Sequence, residues 1–101
     1  MGVFFTNIDE SHIKREKALA RVLRQSSWWK SKIATGRCYY CNAVVSPKDL
    51  TMDHVVPIVR GGRSVKSNIV TACKTCNNKK KYLLPSEWEE YLNMLKQDKE
   101  D

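Results

Sequence analysis

Apolar positions along this chain keep three different rhythms. Between about Asp9 and Ile33, the residues Leu19, Val22, Leu23, Trp29 and Ile33 recur at helical spacing, and Lys14, Arg15, Lys17, Arg21 and Arg24 fill much of the remaining surface. One apolar stripe on a basic cylinder predicts a single helix over 9–33, capped at Asp9 or Ser11 and stopped at Gly36. Trp28 and Trp29 read as a core or interface pair within it. Near the other end, Trp88, Tyr91, Leu92 and Leu95 fall at i, i+3, i+4 and i+7, which predicts an amphipathic helix over 86–97. Ser86 and Glu89 have the spacing of a capping box at its start. Its outer face is acidic, so this helix is expected to cover the core on the side away from any polyanion.

The middle of the chain follows neither pattern. Leu50 to Val59 (LTMDHVVPIV) is rich in strand formers and carries a proline; Gly61, Gly62 and Ser64 mark a loop; Asn68 to Thr71 is a second short strand candidate. A helix from about Lys74 to Leu84 then ends before Pro85. Residues 36–84 therefore read as strand, loop, strand, helix. With no internal repeat and no low-complexity linker, 1–101 reads as a single α+β domain.

Charge changes the picture. The 101 residues carry 18 Lys and Arg against 11 Asp and Glu, a net of +7. Residues 1–81 hold sixteen of the basic residues and five of the acids, a net of +11, and residues 82–101 have a net of −4. The bias favours a polyanionic partner. A hydrophobic content of 42% excludes a disordered basic tail. No run approaches the roughly 20 apolar residues of a membrane span. The opening MGVFFTNIDESH lacks a charged segment followed by an apolar one, so no secretory leader and a cytoplasmic location are expected. His12 reads as a surface residue.

Cys38-Tyr39-Tyr40-Cys41 and Cys73-Lys74-Thr75-Cys76 are two C-x-x-C units. Each can present two thiolates to one tetrahedral Zn²⁺, and together they close its shell. A closed shell leaves no place for water, so Cys38, Cys41, Cys73 and Cys76 are expected to hold a structural zinc. A redox dithiol is the competing reading for either pair alone, and two pairs weigh against it. The zinc clamps both ends of the strand–loop–strand segment. That segment and the helix after it bring Asp53, His54, Asn68 and Asn77 together.

With these residues in view the sequence resembles the HNH endonuclease family and its ββα-metal fold. The resemblance is carried by C-Y-Y-C (38–41), L-T-M-D-H-V-V-P (50–57), G-G (61–62), S-N-I-V (67–70) and C-K-T-C-N-N-K-K (73–80). It implies a ββα-metal core with a four-cysteine structural zinc, flanked by N- and C-terminal helices. The family's first His corresponds to His54, its central Asn to Asn68 and its last His or Asn to Asn77. By the resemblance, Asp53 and Asn77 hold one divalent cation, Mg²⁺ or Mn²⁺, and Asn68 fixes the active-site loop and the orientation of His54. An amide at position 77 is a harder, neutral ligand than imidazole.

The chemistry is consistent with that assignment. Phosphodiester hydrolysis needs an activated water, stabilisation of the transition-state charge and help for the leaving 3′-oxygen. His54, with a reference pKa of about 6.5, suits a neutral general base. In a regular strand, Asp53 and His54 point to opposite faces. Lys79, Lys80, Lys81, Arg60 and Arg63 are the candidate contacts to double-stranded DNA, mostly to its phosphates. A chain this small has little surface for a long recognition site, so a homodimer or a larger nuclease or phage assembly is a further expectation. The alternative is a zinc-ribbon nucleic-acid-binding module without catalysis. It accounts for the cysteines and the charge but not for Asp53, His54, Asn68 and Asn77 between the knuckles.

Overall fold

Strands β1 (Leu50–His54) and β2 (Ile69–Cys73) pair antiparallel, with Leu50 opposite Cys73, Asp53 opposite Val70 and His54 opposite Ile69. They come from a computed structural model that describes residues 8–100 and the side chains of 8–96. The expectation of no secretory leader rests on the first twelve residues, of which 1–7 lie outside the described residues. The fold is α+β, with a two-stranded sheet and helices before and after it.

β1 ends five residues before the expected boundary at Val59. Pro57 has no N–H for a ladder, and the Val56 N–H is taken by the side chain of Asn68 at 2.9 Å. The connection turns through a short 3₁₀ segment, Ile58–Arg60, into Gly61 at φ 95°. At Gly62 a Cβ would lie 1.7 Å from the Val56 carbonyl oxygen, so only glycine lets the loop fold back on itself. Every residue of β2 is buried. The Tyr39 N–H donates to the Thr71 carbonyl at 2.8 Å and the Thr71 hydroxyl to the Arg37 carbonyl at 2.8 Å, which ties the first cysteine pair to this strand.

Helix α3 (Lys74–Lys80) follows β2 without a linker, its N-terminus capped by Cys73 Sγ accepting from the Cys76 N–H. It stops four residues before the expected Leu84, where Lys81 takes a φ of 46°, uncommon for a residue with a side chain. Helix α4 (Pro85–Glu100) begins at proline, the first helical position where a missing N–H costs nothing. Glu87 reaches back to accept the Leu84 N–H at 2.9 Å, so the reciprocal half of a cap lies two residues upstream of the Ser86–Glu89 reading. Trp88 is buried, with its ring edge-on to Tyr40 at 5.6 Å and stacked on Tyr91 at 5.7 Å.

The single helix expected over 9–33 is two helices, α1 (Glu10–Arg24) and α2 (Ser27–Ala34). Ser26 breaks it. Its hydroxyl donates to the Leu23 carbonyl at 2.6 Å and accepts the Trp29 N–H at 3.2 Å, ending one helix and capping the next. The apolar stripe read across this break mixes two faces. Leu19 and Val22 are 45% and 68% exposed, and the residues that α1 buries are Glu16 and Ala20.

Candidate active site and zinc centre

The four cysteines meet where the first knuckle lies against the start of α3. Their Sγ atoms all lie within 4.8 Å of one another. Cys41 and Cys73 are 3.8 Å apart, and four Zn–S bonds of about 2.3 Å put tetrahedral sulfurs at about that spacing. Cys38, Cys73 and Cys76 are buried and Cys41 is exposed. Burial pushes the Cys38 thiol up, but N–H groups of Cys41, Cys73 and Tyr40 aimed at its sulfur prevail and lower it to about 7. The donors around the Cys38 sulfur favour its thiolate, the form zinc requires, whereas burial and the neighbouring thiols push Cys76 up. The donor set fits a closed, structural zinc.

A cavity of about 220 Å³ opens beside this centre, with Asp53, His54, Asn77, Lys17, Lys81 and Tyr82 among the residues lining it. β1 supplies the first two, α3 the third and α1 Lys17. His54 is the last residue of β1, and it shares the cavity wall with Asp53 rather than being turned away from it.

Asp53 is 4% exposed. Its Oδ2 accepts from the Tyr40 hydroxyl at 2.5 Å and lies 3.2 Å from Lys80 Nζ. Lys80 is completely buried, and its ammonium also donates to the carbonyls of His54 and Val55, both at 3.2 Å. Three donors thus meet three acceptors, which is what a buried ammonium needs. Burial first, and then Asp53, push the Tyr40 phenol far above its ordinary range, so it stays a donor. Both anchors hold one carboxylate oxygen. The other, Oδ1, has no partner among the described residues.

Asn77 shows the same economy. Its Nδ2 donates to Thr51 Oγ1 at 3.0 Å, and that hydroxyl donates onward to the Ala72 carbonyl at 2.8 Å. The amide oxygen has no partner among the described residues. Two uncommitted oxygens on one cavity, one anionic and one neutral, suit a hard divalent cation that keeps much of its water.

His54 Nε2 lies 2.9 Å from Ser64 Oγ. Burial lowers its pKa from 6.5, partly opposed by the charge of Asp53, so the imidazole is neutral at neutral pH. Asn68 does not line the cavity. Its amide accepts from the Val56 N–H and donates to the carbonyls of Val56 (3.0 Å) and Arg63 (2.9 Å), so it clamps the loop that follows His54.

Two of the candidate DNA contacts are corrected. Lys80 is sealed inside against Asp53 and cannot reach a phosphate. Arg60 has a side chain only 11% exposed, which pairs with both carboxylate oxygens of Glu87 at 3.1 and 3.3 Å and donates to the Tyr82 carbonyl. Lys79, Lys81 and Arg63 are exposed. Sequence reading missed Tyr40, Thr51, Ser64, Glu16 and Lys17. His12, expected at the surface, has its Nε2 3.1 Å from the Gly62 carbonyl oxygen. Glu16 had a signal: it is the only acid between Glu10 and Asp49 in a basic stretch.

Residues 38–93, more than half of the chain, match the family model of HNH endonucleases. The matched stretch runs from the first cysteine through both strands, the loop and α3 into α4. No curated protein matches the chain significantly.

Proposed function

This chain belongs to the HNH endonuclease family, and we propose that it is a divalent-metal-dependent nuclease that hydrolyses phosphodiester bonds of double-stranded DNA. The observation that carries the proposal is the meeting of Asp53, His54 and Asn77 on one cavity, with an uncommitted oxygen on each of the two ligand residues. Asp53 Oδ1 and the Asn77 amide oxygen are the atoms that would hold the cation. Bound Mg²⁺ or Mn²⁺ supplies Lewis-acid stabilisation of charge on the phosphate and the leaving 3′-oxygen. His54 accepts the proton of the attacking water, and its depressed pKa keeps it neutral and ready to do so. Asn68 holds the loop behind it. Lys17 and Lys81 at the cavity wall, with Lys79 and Arg63 elsewhere on the exposed surface, contact the phosphates. The four-cysteine zinc is structural.

No described helix is long and apolar enough to cross a membrane, and a cytoplasmic site of action belongs to this proposal. So does work as a homodimer or in a larger nuclease or phage assembly. The test is conversion of supercoiled plasmid to relaxed or linear DNA, with and without Mg²⁺ or Mn²⁺, by the wild type and by His54→Ala. Cleavage is expected only from the wild type with a cation. A zinc-loaded His54→Ala that cuts as fast as wild type removes His54 as the base. Salt-dependent DNA retention without any cut supports the non-catalytic zinc-ribbon reading instead.

A further inference from the structure

The imidazole of His54 is held by the loop of the zinc-framed unit, and that loop is seated on α1, outside the unit. Its Nε2 lies 2.9 Å from the hydroxyl of Ser64, which is 6% exposed. A serine hydroxyl has one proton to give. Here that proton goes to the backbone carbonyl of Glu16 at 2.6 Å, and a carbonyl can only accept. Toward His54, Ser64 is therefore an acceptor, and the neutral imidazole carries its proton on Nε2. Nδ1 keeps its lone pair and has no partner among the described residues.

Ser64 is itself built into place. Its N–H donates to Glu16 Oε1 at 2.6 Å, so α1 grips it twice, once through backbone and once through side chain. Two residues earlier, His12 of α1 touches the Gly62 carbonyl at a position where no side chain fits.

We propose that Ser64 is a positioning residue that fixes His54 in its Nε2–H tautomer and so presents Nδ1 as the proton-accepting atom. The inference rests on His54 being the base of the hydrolysis proposed above. In that step the water oxygen bonds to phosphorus and its proton passes to Nδ1. The phosphorus–3′-oxygen bond breaks, and the leaving oxygen keeps the electron pair and takes a proton from solvent. Nε2–H stays on Ser64 throughout, so no hydroxyl has to rotate. Helix α1 is thereby part of the active site and not merely a cover for it.

The test is a long-range ¹H–¹⁵N correlation spectrum of the zinc-loaded full chain labelled at histidine, recorded without divalent cation at mildly alkaline pH. His54→Ala assigns the resonances. Wild type and Ser64→Thr, which keeps a hydroxyl, are expected to show the Nε2–H tautomer. Ser64→Ala is expected to show a mixture of tautomers, with kcat reduced about ten- to a hundredfold and KM for DNA unchanged, as when an orienting partner of a site histidine is removed. A wild-type proton on Nδ1 overturns the proposal, and so does a Ser64→Ala protein with an unchanged tautomer. If Ser64→Ala fails to fold, Ser64→Cys keeps the side-chain size with a poor acceptor and is read in the same way. A wild type that holds the Nε2–H tautomer but cuts no DNA overturns the nuclease reading and leaves the hold of Ser64 on the imidazole established.

Discussion

Asp53 and His54 are neighbours on one strand, yet they are held by opposite means. Asp53 is fixed from within the zinc-framed unit by charge: Lys80 of α3 and Tyr40 of the first knuckle converge on its Oδ2. His54 is fixed by a neutral hydrogen bond to Ser64 of the loop, and Ser64 is seated in turn on α1, which lies outside that unit. The proposed cation ligand is thus organised by the same contacts that fold the core, and the proposed base by the docking of an added helix. The difference separates what the zinc must do from what α1 must do, and it can be broken from either side.

Removing zinc is expected to have the largest effect. Structural zinc contributes apparent binding free energies of about 10–16 kcal/mol in zinc-finger peptides, against about 5–15 kcal/mol for the stability of a whole domain. A two-stranded sheet has little stability of its own. Chelation, or Cys76→Ser, should abolish the cooperative melt and the near-ultraviolet circular dichroism of Trp88, whose ring packs on Tyr40. An unchanged melt after verified zinc loss refutes the division drawn above.

Next in size is the ion pair under the sheet. Lys80→Met leaves a 4%-exposed carboxylate without its cation, which costs about 3–5 kcal/mol in comparable buried pairs. Urea denaturation measures it. The double variant Lys80→Met with Asp53→Asn should recover much of the loss, because the unpaired charge is gone. If Lys80→Met alone is harmless, Lys80 is not the partner that makes a buried Asp53 tolerable.

The His54 side should show itself through pH. Burial sets its folded-state pKa below 6.5, so as pH falls the unfolded chain binds the proton first. The stability contributed by the neutral imidazole is complete above the unfolded value. It is lost as pH falls from that value to the folded one, and then levels off. Subtracting the urea stability of His54→Gln from that of wild type, both zinc-loaded and cation-free, isolates this part. The difference should shrink on acidification, and a difference that grows sinks the assignment to burial. Glu87, lowered mainly by the Arg60 hydrogen bond, and Glu16, lowered mainly by the Ser64 N–H, act in the lower, carboxylate window and do not confuse the readout.

What was legible in the sequence follows the same division. The cysteine pairs and the Asp-His dipeptide could be read because ligand chemistry resides in side-chain identity and spacing. Burial was harder. A Lys79-Lys80-Lys81 run reads as a solvated face, yet on α3 Lys80 stands three and four residues after Asn77 and Cys76, on the side that turns inward. Helical periodicity held that signal, and charge masked it. The hold on His54 was illegible for another reason: Ser64 and Glu16 are 48 residues apart, and neither belongs to a motif.

The smallest prediction bears on the stripe of α1. A stripe of Leu19, Val22 and Leu23 facing a core would make a charge at position 22 costly. Instead α1 turns Glu16 and Ala20 inward, one helical step of four apart, and leaves Val22 68% exposed. Its docking is polar at Glu16 and close-packed at Ala20, which explains why an apolar count along the helix points to the wrong face. Val22→Lys should therefore change the stability measured by urea denaturation by no more than about 0.5 kcal/mol, the usual range for surface positions. It should also leave the tautomer of His54 where it is in wild type. A loss of several times that size means that Val22 is covered in solution, and then α1 docks through its apolar stripe rather than through Glu16.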